Sequence, residues 1–140
     1  MTIITITIPG EPVAKGRPRI TTRDGFAHAY TPKKTRDYEA LVDAEARKVM
    51  GLRKPLEGPL AVEVNAFMPV PASWSLTKKL AAVAQTILPT SRPDLTNIVK
   101  AAEDALNGIV WRDDSQIVSL IMTKEYGARP RLVIAVRGLA

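Results

Sequence analysis

The sequence predicts a single α+β domain, in which one mixed, largely antiparallel sheet is covered by two main helices. The 140 residues fit one domain, and the hydrophobic fraction of 46% is typical of a globular protein. Both period-two alternation and helical periodicity occur along the chain. They do not follow the strand–helix–strand rhythm of a parallel fold, and no repeat or linker divides residues 1–140.

The first half of the chain predicts a strand, a hairpin and a helix. Thr2 to Ile8 alternates Thr and Ile, which is typical of a half-buried strand. Lys15 to Pro32 contains Arg23-Asp24-Gly25, a predicted turn between two short extended arms. A helix is predicted from Lys33 to Met50, because Thr31-Pro32 suits the first turn of a helix. Its predicted core face consists of Tyr38, Leu41, Val42, Ala46 and Val49.

The second half predicts a strand, a long excursion, a helix and two further strands. The excursion, Met68 to Pro93, is proline-rich and contains a predicted short helix within Ser75 to Ile87, capped by Ser75 or Thr77. The second main helix is predicted from Asp94, which can cap it, to Asn107, before Gly108. The predicted strands are Leu60 to Phe67, Ser115 to Lys124 and Pro130 to Val136.

The charge balance favours a polyanionic partner, although an ordinary basic protein is the open alternative. Twenty Lys and Arg against fourteen Asp and Glu give a net charge of +6. The chain has no cysteine and only one histidine, His28, so any metal would be held by oxygen, which favours Mg²⁺ or Mn²⁺. The start of the chain does not resemble a signal peptide, and no apolar run is long enough to cross a bilayer. We therefore expect a cytoplasmic protein without membrane attachment.

Charged and polar side chains share one face of the second main helix. Thr96, Lys100 and Glu103 stand at i, i+4 and i+7, and Asn97, Lys100 and Asp104 form an adjacent stripe. Taken alone, this pattern is equally consistent with a functional site and with a structural interpretation, in which Lys100 forms surface ion pairs with Glu103 and Asp104 and Asp94 only caps the helix.

A second acidic pair, Asp113 and Asp114, follows between the helix and a strand. Carboxylates converging from these two places would hold one or two divalent ions against a phosphodiester, with the basic remainder of the chain holding DNA. The pattern does not fix which end of the helix the pair approaches.

Lys78 and Lys79 lie near Trp74, which either stacks on nucleic acid or covers the core edge. The predicted DNA-contacting residues are Lys15, Arg17, Arg19, Arg23, Lys78, Lys79 and Arg92.

The segment DLTNIVKAAEDALNGIVWRDDSQIV, Asp94 to Val118, resembles the RusA family of Holliday junction resolvases, common in bacteria and their prophages. The family pattern is Asp-x-Asp-Asn-x-x-Lys-x-x-x-Asp-Ala-Leu, followed by Asp-Asp-x-Gln-Ile/Val. The segments GRPRITTRDG, YTPKKTRDYE and PASWSLTKK are also similar to family members. The resemblance spans nearly the whole chain and implies a RusA-like fold.

The resemblance further implies a homodimeric, Mg²⁺-dependent endodeoxyribonuclease that acts in DNA recombination and repair. Such an enzyme resolves four-way junctions by paired symmetric nicks and needs no small-molecule cofactor. The family's catalytic aspartates correspond to Asp94 and Asp114, and its functional lysine corresponds to Lys100. Asp113 is either a further metal ligand or orients one.

One position departs from the family pattern, because Thr96 stands where the family has its second aspartate. Our hypothesis is that Glu103 supplies the missing carboxylate as a metal ligand and catalytic residue. Thr96 would then donate a hydroxyl or order a water at the metal, with Asn97 and Asp104 in supporting positions. The competing hypotheses are a non-catalytic DNA-binding domain with a decayed site, and a basic structural domain whose Lys100 cluster only forms ion pairs.

Overall fold

A computed structural model describes residues 3–16 and 19–139, and the side chain of Arg19 is not described. Within these described ranges the chain forms six strands, three α-helices and a 3₁₀ turn. In chain order these are β1 (Ile3–Pro9), β2 (Arg19–Arg23), β3 (Phe26–Tyr30), α1 (Lys33–Met50), β4 (Leu60–Pro69), α2 (Leu76–Val83), α3 (Leu95–Leu106), the 3₁₀ turn (Asp114–Gln116), β5 (Ile117–Gly127) and β6 (Arg131–Gly138).

The main sheet has the strand order β1-β6-β4-β5. β6 runs antiparallel to both β1 and β4, whereas β4 and β5 are parallel. The predicted mixed, largely antiparallel sheet in an α+β domain is therefore confirmed. β2 and β3 pair only with each other, and form a separate two-stranded ribbon.

One face of the main sheet carries the core. The alternation in β1 buries Ile4, Ile6 and Ile8, and the paired strand β6 buries Leu132 and Ile134 on the same face. α1 and α3 pack together and cover this face, so the two predicted main helices are confirmed. The opposite face is largely open to solvent, as is common for sheets with antiparallel strands.

The described elements differ in detail from the sequence-based expectation. α1 has the predicted bounds, but Val49 is exposed and Met50 is buried in its place. The helix within the excursion ends at Val83, and Ser75 caps it by accepting from the Lys78 N–H. β5 begins two residues later than predicted, because residues 114–116 form the 3₁₀ turn.

Across residues 3–16 and 19–139, no helix has both the length and the apolar character needed to cross a membrane.

Candidate active site

α3 begins at Asp94, whose carbonyl accepts from the N–H groups of Asn97 and Ile98. The Asp94 carboxylate makes no capping hydrogen bond, so the predicted side-chain cap is wrong although the residue occupies the N-cap position. The carboxylate is therefore exposed at the positive end of a twelve-residue helix, where negative charge is stabilised.

Lys100 stands between two carboxylates that come from different elements. Its Nζ is 3.2 Å from Asp104 Oδ1, one turn further along α3, and 3.9 Å from Asp114 Oδ2 on the 3₁₀ turn. Asp104 in turn places Oδ2 3.1 Å from Lys15 Nζ, which also donates to Glu39 Oε1 of α1 at 2.8 Å. We call Lys15, Lys100, Glu103, Asp104 and Asp114 the acid cluster.

The pKa shifts in the acid cluster follow from this geometry. The pKa of Glu103 is raised, first by burial and then by the negative charge of Asp114. The pKa of Lys100 is raised by its hydrogen bond to Asp104, and that of Lys15 by its hydrogen bond to Glu39. The negative charge of Asp114 therefore disfavours ionisation of Glu103, whereas Lys100 favours it.

Gln116 fixes the segment that carries the second acidic pair. Its Oε1 accepts from the N–H groups of Arg112 (2.8 Å) and Asp113 (3.0 Å). Its Nε2 donates to the carbonyls of Leu56 (2.9 Å) and Gly58 (3.0 Å). This side chain therefore holds the 3₁₀ turn against the loop ahead of β4.

The Asp113 carboxylate is used within the same turn. It accepts from the Ser115 N–H at 3.0 Å, and hydrogen bonds from the Ser115 side chain and then from its backbone lower the pKa of Asp113. Asp113 is exposed, and its carboxylate accepts hydrogen bonds from its own turn. This geometry suits a role in which Asp113 orients Asp114.

Asp94 lies at the other end of α3 from the acid cluster. Nine residues separate it from Glu103, which is about 13 Å along a helix axis. Lys124, near the middle of β5, donates from Nζ to the carbonyls of Ser91 (2.8 Å) and Pro93 (3.0 Å), directly before Asp94. α3 therefore runs antiparallel to β5, with Asp94 above the strand interior and Asp114 before the strand begins.

Thr96 lies close to Asp94 rather than close to Glu103. Thr96 and Asn97 are exposed on the first turn of α3, and the Asn97 carbonyl accepts from the Lys15 N–H at 2.9 Å. In the described parts of the chain, no three or more Asp, Glu, His or Cys side chains form a group that could hold a metal ion. Within one chain, the structure brings Asp114 to Lys100 in the second half of α3, whereas Asp94 lies at the start of that helix.

The predicted DNA-contacting residues have different surroundings. Lys15 already balances two carboxylates, and Arg17 lies outside the described residues, as does the side chain of Arg19. Arg23 and Arg92 are exposed. Lys78 lies with Nζ 4.0 Å from the centroid of the Trp74 ring, and Lys79 follows it on α2.

Trp74 is half-buried and packs edge-on against Tyr126, with ring centroids 5.4 Å apart. Of the two interpretations left open for this residue, covering the core edge is the one that the packing supports.

Sequence reasoning missed Gln116, Lys124 and Glu39 as residues that shape the site. Gln116 belongs to the Asp-Asp-x-Gln pattern, so its position beside two predicted functional acids was an available signal. Lys124 and Glu39 carried no local signal, because their partners lie 31 and 24 residues away in the chain.

Two comparisons with known proteins bear on this arrangement. The family described as Endodeoxyribonuclease RusA matches residues 9–137. The chain is also 39% identical over 142 residues to the uncharacterized protein YqaN of Bacillus subtilis (strain 168), covering 98% of this chain and 97% of that protein. The family match includes both elements of the acid cluster, α3 and the 3₁₀ turn. The chain belongs to the RusA family of endodeoxyribonucleases.

Proposed function

We propose that this protein is a Mg²⁺-dependent endodeoxyribonuclease that acts as a homodimer and resolves four-way DNA junctions by paired symmetric nicks. It would act in recombination and repair in the cytoplasm, where chromosomal or prophage DNA is accessible. The single observation that carries this proposal is the position of Lys100 between Asp104 of α3 and Asp114 of the 3₁₀ turn, in a chain that belongs to this nuclease family.

The oxygen donors of the acid cluster fit Mg²⁺. This ion is commonly held by one or two carboxylates, with waters and substrate phosphates completing the coordination. Glu103 and Asp114 would provide those carboxylates, and Mn²⁺ would accept the same donors. When bound, the ion supplies positive charge to the scissile phosphate and lowers the pKa of a water molecule.

The chain's own residues prepare this site for a phosphate. Lys100 is 54% exposed at its side chain, so its ammonium can turn from the carboxylates toward a phosphate oxygen without leaving the cluster. Asp104 holds Lys100 in position, and Gln116 holds the turn that carries Asp114. Preorganised charge of this kind costs little rearrangement during the reaction.

A second copy of the chain would pair along β5. This strand is an edge of the main sheet and is eleven residues long. Val118 is 65% exposed and Ile121 is 58% exposed. A long, unpaired edge with aliphatic side chains is avoided unless something covers it. Two symmetric nicks in a two-fold junction also require two sites.

A two-fold dimer would bring Asp94 of one subunit close to Asp114 of the other. A two-fold axis makes the two copies of β5 antiparallel. If the axis passes near Leu120, Lys124 of one subunit faces Ile117 of the other. Because Lys124 holds the segment before Asp94, the Asp94 carboxylate of one subunit would approach Asp114 of its partner. A third carboxylate would then join the pair that one chain supplies.

A cleavage assay on a synthetic mobile four-way junction tests the activity. The parent should give paired nicks with Mg²⁺ and no product when the ion is chelated. Asp94→Asn and Asp114→Asn should abolish cleavage but keep junction binding, because phosphate contacts come mainly from basic residues. Lys100→Ala should reduce cleavage with little change in melting temperature.

A parent that binds junctions but forms no product in Mg²⁺ or Mn²⁺ would support the alternative of a non-catalytic DNA-binding domain. The threonine at position 96, where the family has an aspartate, is the observation that favours this alternative. Loss of junction binding in both aspartate variants would instead indicate that these acids are structural.

The interface is tested separately by the mass of the particle in solution. Val118→Lys combined with Ile121→Lys should convert a dimer to a monomer. Ile3→Lys, at an exposed aliphatic position on the opposite edge strand, is the matched control and should leave the dimer intact. A parent that is monomeric at assay concentrations contradicts the interface.

A further inference from the structure

The β2–β3 ribbon has two chemically different faces. Its register pairs Arg23 with Phe26 and Thr21 with His28, and residues opposite each other in an antiparallel pair point to the same side. Phe26, His28 and Tyr30 alternate along β3 and therefore share this side. This surface, formed by Arg23, Phe26, His28 and Tyr30, is called the aromatic face below.

The opposite side of the ribbon carries mostly small or aliphatic side chains. It consists of Ile20, Thr22, Ala27 and Ala29, which alternate with the residues of the aromatic face. Ile20 is 74% exposed, Phe26 is 70% exposed and Tyr30 is 46% exposed. No described side chain from residue 20 to residue 30 is buried.

The ribbon is thus not stabilised by the core of its own domain. An isolated two-stranded hairpin is only marginally stable in water. The loop Asp24-Gly25 supports the hairpin locally, since both residues have positive φ (52° and 77°) and form a two-residue turn that matches the strand twist. Large aromatic rings held in water on such a ribbon indicate a partner that covers them.

The root of the ribbon is fixed beside the acid cluster. Gly16 donates its N–H to Thr35 Oγ1 at 2.9 Å, and Lys15 contacts Asp104. A Cβ at Gly16 would lie 2.9 Å from Thr35 Oγ1 and 3.0 Å from Pro32 Cγ, so this close approach requires glycine. The strands extend about 17 Å from this root. Lys15, which contacts the cluster, is four positions before the first residue of the ribbon, Arg19.

We propose that the aromatic face binds unstacked bases at the branch point of DNA, with Phe26 and Tyr30 stacking on bases and Arg23 contacting a phosphate. Alternate residues of a strand are about 6.7 Å apart, which is twice the rise of stacked bases, so one base fits between successive side chains. In an intact duplex the base faces are covered by neighbouring bases. The aromatic face therefore selects branched DNA over duplex, a selection that phosphate contacts alone do not provide.

This inference rests on the proposed DNA substrate but not on cleavage, so binding is measured without divalent ions. The probes are an immobile four-way junction with 2-aminopurine at the crossover and a linear duplex of equal length. Phe26→Ala combined with Tyr30→Ala should weaken junction binding roughly tenfold and leave duplex binding unchanged. The 2-aminopurine fluorescence change seen with the parent should disappear.

Two further variants make the result specific. Phe26→Leu combined with Tyr30→Leu keeps apolar side chains but removes the rings, and should behave like the alanine variant. Ile20→Ala combined with Thr22→Ala alters the opposite face at equally exposed positions, and should bind like the parent. All variants should keep the parent's melting temperature, because the changed side chains are exposed.

Three outcomes would overturn the inference. The first is unchanged junction affinity in the alanine variant. The second is an equal loss for junction and duplex, which would indicate phosphate contacts only. The third is full recovery by leucine, which would indicate apolar contact with the junction without ring stacking. Normal Mg²⁺-dependent cleavage by the parent alongside any of these would leave the proposed function standing.

Discussion

Asp104 uses its two carboxylate oxygens on two different lysines. Oδ1 is 3.2 Å from Lys100 on the same helix, and Oδ2 is 3.1 Å from Lys15 on the arm that leads to the ribbon. One side chain therefore ties the proposed phosphate-contacting lysine to the root of the proposed DNA-binding ribbon. The two functions of the protein would share this carboxylate.

We expect Asp104→Asn to lower the melting temperature by about 3–6 °C, because two partly exposed ion pairs of up to ~1 kcal/mol each are lost. Asp43→Asn is the control, since its pair with Arg47 lies on the surface of α1 and should contribute little. Thermal unfolding of both variants measures the difference. Equal melting temperatures would show that Asp104 does not link the two elements.

Replacing Glu103 should change stability in a pH-dependent way. Burial and Asp114 raise the pKa of Glu103 in the folded state above its unfolded value, so folding favours the protonated form. The stabilisation that this provides is present at low pH and is lost as pH rises through the raised pKa. Glu103→Gln should therefore raise the melting temperature at neutral pH. The gain should vanish below roughly pH 4, where Glu is protonated in both states.

The same variant also reports on the metal. Mg²⁺ should raise the melting temperature of the parent more than that of Glu103→Gln, because an ion that binds only the folded state stabilises it. Glu63→Gln, at an exposed position of β4, should show neither effect. A Glu103→Gln variant with parental turnover in Mg²⁺ would refute the hypothesis that Glu103 supplies the missing carboxylate.

Lys124 should act as a positioning residue for Asp94. Lys124→Met keeps the apolar stem but removes the ammonium that binds the Ser91 and Pro93 carbonyls. We expect cleavage to fall roughly tenfold, since small displacements of reacting groups are costly. The Mg²⁺ concentration needed for half-maximal rate should rise.

Amide hydrogen exchange separates this role from a general loss of stability. Exchange at residues 90–97 should be faster in Lys124→Met, and Lys124→Arg should restore the parental rate. Lys48→Met, which removes a surface ion pair of α1, serves as the control. Faster exchange throughout the sheet would contradict a local role.

Gln116→Glu should destabilise the turn that carries Asp114. The isosteric carboxylate keeps the acceptor oxygen but loses the two hydrogen bonds that the amide donates to the Leu56 and Gly58 carbonyls. We expect the free energy of unfolding to fall by roughly 2–4 kcal/mol. Gln85→Glu loses one short hydrogen bond, which the amide donates to the Tyr126 carbonyl. It should lower the free energy of unfolding by about half as much. Chemical denaturation of both variants tests the ratio, and a smaller effect at Gln116 would contradict its assigned role.

Local periodicity was sufficient to predict most of the elements. The Thr-Ile alternation predicts β1 because only one of its faces is buried, and the same reasoning predicts β4. It failed at Val49, because the α1 stripe continues onto Met50 at the helix end. It also failed at the start of β5, where Asp113 and Gln116 cap a 3₁₀ turn instead of extending the strand.

The site was predictable only as far as helix geometry reaches. The shared face of Lys100 and Glu103 follows from their spacing on α3, and the Asp-Asp pair predicts a second acidic element. The end of α3 that Asp114 approaches depends on the direction in which β5 runs beneath the helix. The spacing of residues along the sequence does not determine that direction. The role of Lys15 was unpredictable for the same reason, since its two partners belong to α1 and α3.

The strand order has a consequence for how the protein is made. β6 follows all the other described strands in the chain, but it lies between β1 and β4 and pairs with both. β1 therefore has no neighbour in the main sheet until β6 has been synthesised. A chain that stops before β6 lacks the middle of its sheet, so an activity that depends on the folded sheet would emerge only after β6 is made.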